Sequence, residues 1–174
     1  MTTLTGSQTP VRRVVPKFDL LLNQLKVLLE GLLARSVTVR KPLAKAPPAP
    51  VSVHGSYRGD DGKIRAFCVC DLPLAASAGA ALGLFPLGSA NEAIAARELP
   101  EALLENFREV LNVCSRLVNY VSDDHLVLQD VVVSEGGPDA ARKAPAWESY
   151  EFEVSISGYG TGRLNLFIGV RKAC

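Results

Sequence analysis

From Pro16 onward the chain places Phe18, Leu21, Leu22, Leu25, Leu28, Leu29 and Leu32 at three- and four-residue steps, with Lys17, Asn23, Gln24, Lys26 and Glu30 between them. That period predicts an amphipathic helix with one buried face. Pro16 fits its start, where a missing amide donor costs no hydrogen bond. Residues 1–15 are polar and lack a period, so they are predicted to form a flexible arm. Residues 36–40 alternate as a short strand. The following segment KPLAKAPPAP, residues 41–50, has too many prolines for a helix or a central strand and is predicted to be a stiff connector. Residues 51–57 and 63–70 then alternate on either side of RGDDG, whose Asp and Gly residues suit the reversal of a hairpin.

Asp71 directly follows the second hairpin strand, where its carboxylate can accept the free amides of a first helical turn, and Pro73 sits where a helix tolerates it. The expectation is a short alanine-rich helix over 72–84, ended by Phe85-Pro-Leu-Gly-Ser89. A longer helix over 100–121 follows, marked by Glu98, Pro100 and Glu101 near its positive end. Its apolar stripe is Leu103, Leu104, Phe107, Val110, Leu111, Cys114, Leu117, Val118 and Val121. Residues 125–134, 149–158 and 163–170 read as strands, with the turn GYGTG before the last and a flexible excursion at 135–145. The chain contains no internal repeat. Residues 16–174 are thus expected to form one α/β (α+β) domain, with long helices packed on a largely antiparallel sheet.

Composition narrows the class further. A chain of 174 residues with 48% apolar and 21% charged side chains matches one globular domain. The net charge of +1 and a pI near 7.7 give no general nucleic-acid field, and no apolar run is long enough to span a bilayer. The first helix has too few cations on its polar face for a membrane-surface helix. Charge is uneven: residues 1–45 carry eight Lys or Arg against two acids, and the remainder is net acidic. Arg12, Arg13, Lys17, Arg35, Arg40 and Lys41 read as a solvated basic face. The D-x-S-x-x-G motif that a cyclic-dinucleotide site would require downstream is absent. Cys68, Cys70, Cys114 and Cys174, with only His54 and His125 to join them, are too poor in ligands and spacing for a metal centre. The N-terminus lacks the apolar core of a secretory signal, so the expected compartment is the cytoplasm, with the cysteines as buried thiols.

The candidate chemistry lies on the long helix. Glu105, Glu109, Asn112 and Arg116 follow one another at steps of four, three and four, which lines them up along one solvent-facing row. A carboxylate and a carboxamide one turn apart suit work on a partner: the acid can pair with a cation, and the amide can both donate to and accept from one water. No nucleophile or histidine base stands beside them, so a self-contained hydrolytic triad is not indicated. His54 in a strand, His125 in a loop beside Asp123 and Asp124, and Trp147 near the last strands read as structural or exposed groups. Glu and Asn three residues apart occur by chance in many chains, and most such pairs only solvate a helix.

Context gives the pair its meaning. The order of elements, the turn in CDLPLAASAGAALGLFP and the segment Glu105-Asn-Phe-Arg-Glu109-Val-Leu-Asn112 together resemble the CheC/CheX family of chemotaxis phosphatases over about residues 16–171. In that family the long helix carries [DS]-x-x-x-E-x-x-N. Glu109 and Asn112 match its two central residues, and Glu105 stands where Asp or Ser is usual. A downstream proline of the family has Glu135 in its place, with Pro138 three residues later. A single E-x-x-N implies the single-motif, CheX-like branch, whose members are homodimers. The implied reaction is hydrolysis of the aspartyl phosphate of a CheY-like response regulator. Asn112 would align the attacking water, Glu109 would pair with the regulator's lysine, and Glu105, Arg108 and Arg116 would border the contact. The implied phosphatase has no cofactor of its own, and Mg²⁺ would belong to the regulator. The alternatives are a catalytically inactive module of the same fold that docks a receiver domain or scaffold protein, and a purely structural dimerisation domain.

Overall fold

The computed structural model describes residues 17–45, 47–136 and 147–169. In chain order these form α1 (Lys17–Leu33), β1 (Val37–Arg40), β2 (Ser52–Arg58), β3 (Ile64–Asp71), α2 (Leu72–Leu82), α3 (Leu87–Ala96), α4 (Glu101–Val121), β4 (Val127–Ser134), β5 (Trp147–Ile156) and β6 (Gly160–Gly169). The strands make one six-stranded sheet in the order β1-β5-β6-β3-β2-β4, antiparallel at every step. The fold is α+β, with helices on an antiparallel sheet. The predicted arm at 1–15 and most of the excursion at 135–145 lie outside the described residues.

Strand alternation decides which face is covered. In β6, Leu164, Leu166 and Ile168 are buried beneath the helices, while Arg163, Asn165 and Phe167 point the other way. Phe152, Val154 and Ile156 of β5 extend the same buried face. On it, α1 buries every fourth residue, Leu21, Leu25, Leu29 and Leu33, and stacks Phe18 on Phe152 with ring centroids 5.1 Å apart. In α2 every residue except Pro73 and Leu82 is buried, because it packs on β6 and is flanked by α3 and α4. Asp71 caps it by accepting from the Leu74 amide at 2.9 Å. Small side chains permit this depth. A Cβ at Gly79 would strike the carbonyl oxygen of Leu103 in α4, and one at Gly162 of β6 would strike the Leu74 amide.

Two outcomes differ from the sequence pattern. Helix α3 was not expected, since Gly88 and Ser89 read as a stop after the short helix. Only Ala90 and Ala93 of α3 are buried, so it carries almost no apolar period to reveal it. The short helix also ends at Leu82 rather than residue 84: Gly83 caps it, and Leu84 turns left-handed at φ +57° with its side chain exposed. The predicted strands recur with shifts of one to three residues at their ends, and α4 starts at Glu101 with Pro100 as its N-cap.

Beneath α4, Tyr57 of β2 is fully buried and donates its hydroxyl to the Leu111 carbonyl at 2.7 Å. Burial holds this hydroxyl well above its ordinary value of 10.0. The unfolded chain loses this proton at lower pH than the folded one, so the stabilisation is intact below pH 10.0 and falls as pH rises above it. The thiol of Cys70, also raised by burial, adds an alkaline loss that begins above its ordinary 9.0. Tyr57→Phe is expected to cost about 1 kcal/mol at neutral pH and to make the decline above pH 10.0 shallower. Urea denaturation at a series of pH values measures both.

Candidate functional site

The site is built on α4. Its buried residues, Leu103, Phe107, Val110, Leu111, Cys114, Leu117 and Val118, seat it on α2 and the sheet, with Leu104 and Val121 half-buried at the margins. Tyr57 grips the carbonyl of Leu111, the residue immediately before Asn112, which fixes the helix against β2 at the middle of the candidate row. A helix held this firmly presents its outer side chains from a rigid base.

All five residues singled out from the sequence, Glu105, Arg108, Glu109, Asn112 and Arg116, lie on the exposed side of α4. Glu109 and Asn112 are one turn apart, about 4.5 Å along the axis. Neither forms a hydrogen bond or ion pair with another described residue. The other two asparagines of α4 are occupied. Asn106 donates to the Gly79 carbonyl at 3.1 Å, and Asn119 exchanges two hydrogen bonds with the Leu126 backbone, at 2.8 and 2.6 Å, folding the loop after the helix back onto it. Asn112 therefore keeps its full donor and acceptor capacity for another molecule.

The row has one member beyond those named from the sequence. Tyr120 lies four residues after Arg116 on the same face and is 52% exposed. The signal was present in the spacing, since Tyr120 continues the polar helical row at i+4.

Among the described residues neither histidine joins the row. His54 is buried in β2 on the far side of the sheet, edge-on to Phe67, with burial lowering its pKa. His125 is exposed in the loop after α4. Trp147 opens β5 and stacks on Phe67 at 5.5 Å between centroids. Among the described residues no three His, Cys, Asp or Glu side chains converge to hold a metal ion, and no helix is long and apolar enough to cross a membrane. Of the basic residues, Lys17 pairs with Glu148 at 2.5 Å, Arg40 pairs with Glu153, and Arg35 lies over the Tyr159 ring. Within the described part these cations bind the chain's own surface. The arrangement can thus present two free carboxylates, Glu105 and Glu109, and the Asn112 carboxamide, at helical spacing, to a macromolecular partner.

No protein-family model matches the chain, and no curated protein matches it by sequence. Solved structures do match. The FliM middle domain (51–229) of Vibrio alginolyticus superposes with a TM-score of 0.57 at 13% identity, over 88% of this chain and 94% of that one. The CheX of Borrelia burgdorferi, solved as a complex with CheY, BeF₃ and Mg²⁺, superposes at 0.53 and 14% identity, over 90% of this chain and 100% of that one. CheX from Vibrio vulnificus gives 0.50 at 18% identity, over 88% and 96%. At these identities the likeness is one of fold.

Proposed function

We propose that this chain, which has the CheC/CheX fold, is a phosphatase acting on the aspartyl phosphate of a CheY-like response regulator. Asn112 aligns the attacking water, and Glu109 pairs with the regulator's lysine and holds the docking register. The observation that carries the reading is the freedom of this pair: both side chains are exposed, one turn apart, and without a partner among the described residues, on an otherwise firmly seated helix. Water attacks phosphorus, the bond between phosphorus and the aspartyl oxygen breaks, and the carboxylate leaves with inorganic phosphate as the second product. Such transfer depends mostly on positioning and charge stabilisation, with Mg²⁺ supplied by the regulator. An inserted amide therefore suffices without a base of its own. Glu105, Arg108, Arg116 and Tyr120 border the contact and set partner choice. The fold likeness to a CheX that was solved with CheY supports a receiver domain as the partner.

A homodimer in the cytoplasm completes this reading. β4 ends the sheet, and its Val127, Val132 and Val133 are 39–40% exposed, an apolar strand edge that a second copy would cover. Sedimentation equilibrium is expected to give twice the chain mass of 18.6 kDa; a monomer at tens of micromolar would remove the dimer from the account.

A second reading has its own support. The fold is equally that of FliM middle domains, so the same helix face could dock a receiver or scaffold protein without hydrolysis. The two separate on phosphate loss from a panel of phosphorylated receiver domains of the same genome. The phosphatase accelerates the decay of at least one, whereas binding without acceleration selects the docking module. A purely structural dimerisation domain would instead hide the α4 row against its own mate.

A further inference from the structure

β1 and β2 lie near opposite edges of the sheet, and the connector between them passes over Asn165 and Phe167, which point away from the helices. Beneath it is a cavity of about 700 Å³, within the range of small-molecule sites. Val69, Asn165 and Phe167 form the floor, and the proline-rich connector forms the roof. Proline has no N–H, so the roof presents ring carbons and carbonyls only. Arg163 ties it down, donating to the Ala44 carbonyl at 3.2 Å and to Glu151 at 2.9 Å.

The polar groups of the cavity do not balance. Its two acids are engaged: Glu151 by Arg163, and Asp71 by the Leu74 amide it caps. Lys45 and Arg97 line the same space, are exposed, and have no ion pair among the described residues. Asn165 Oδ1 is buried without a hydrogen-bond partner, and rotating the amide would only exchange an unmet acceptor for an unmet donor.

We propose that this cavity binds a small organic anion. An apolar ring or chain sits between Phe167 and the prolines, an N–H or O–H of the ligand meets Asn165, and the acidic group is drawn to Lys45 and Arg97. The site shares no residue with the α4 row and is independent of the activity proposed for it.

The test uses 8-anilinonaphthalene-1-sulfonate, which carries all three features, and N-phenyl-1-naphthylamine, which lacks only the sulfonate. Fluorescence titration of the full chain at low salt is expected to show one saturable site, with the neutral dye about tenfold weaker. The double variant Lys45→Gln/Arg97→Gln should weaken the sulfonate by about tenfold and leave the neutral dye unchanged. Ser149→Trp, which faces Phe167 across the β5–β6 pairing, should fill the floor and remove both. Both variants alter exposed side chains, and equal melting temperatures confirm that they fold. Absence of a saturable site, or sulfonate binding that neither variant changes, overturns the proposal.

Discussion

Asn112→Ala is expected to lower phosphate release from a phosphorylated receiver by about 10²–10³-fold while the complex still forms. The reason is geometric. The carboxamide beside Glu109 can both donate to and accept from one water, so its loss leaves that water unaligned without removing the docking surface. Glu109→Ala should behave differently, weakening both binding and turnover, because an acid paired with a lysine acts before and during the chemical step. Asn106 and Asn119 supply the internal control. Each is bonded to backbone within the chain, so Asn119→Ala should lower stability and leave turnover by the folded fraction intact. Stopped-time phosphate release and a binding titration against the same receiver separate these outcomes.

Phe107→Ala carries the largest stability effect. Its ring is completely buried under α4, and truncating such a side chain costs about 3–5 kcal/mol through lost burial and the cavity left behind. That is a large share of the about 5–15 kcal/mol by which a domain is stable. The variant should therefore unfold at much lower urea concentration. What remains folded should still bind a receiver, because Phe107 and the exposed row occupy opposite sides of one helix. Loss of binding by the folded fraction would mean that Phe107 also sets the outer surface.

The face of α4 was legible because a single amphipathic helix writes its orientation into the spacing of its apolar residues. Leu103, Phe107, Val110, Leu111 and Cys114 mark the buried side, and that leaves Glu105, Glu109, Asn112 and Arg116 outward. Helix α2 shows the opposite case: surrounded on all sides, it is uniformly small and apolar, and no period says where it lies. Helix α3 was hidden for the reverse reason, since two alanines are its whole contribution to the core. The pairing of β1 with β5, the grip of Tyr57 on Leu111 and the cavity under the connector all join residues far apart in the chain. Local pattern carries no trace of such contacts. Tyr120 belonged to the legible part, one helical step past Arg116.

A photo-reactive benzoylphenylalanine at position 116, irradiated with a beryllofluoride-activated, Mg²⁺-loaded receiver, reports where the α4 row docks. Docking of the row at the receiver's active site gives light-dependent crosslinks that map beside the phosphorylatable aspartate and that fade when activation is omitted. Crosslinks confined to a second copy of this chain, or to a receiver surface remote from that aspartate, would contradict it.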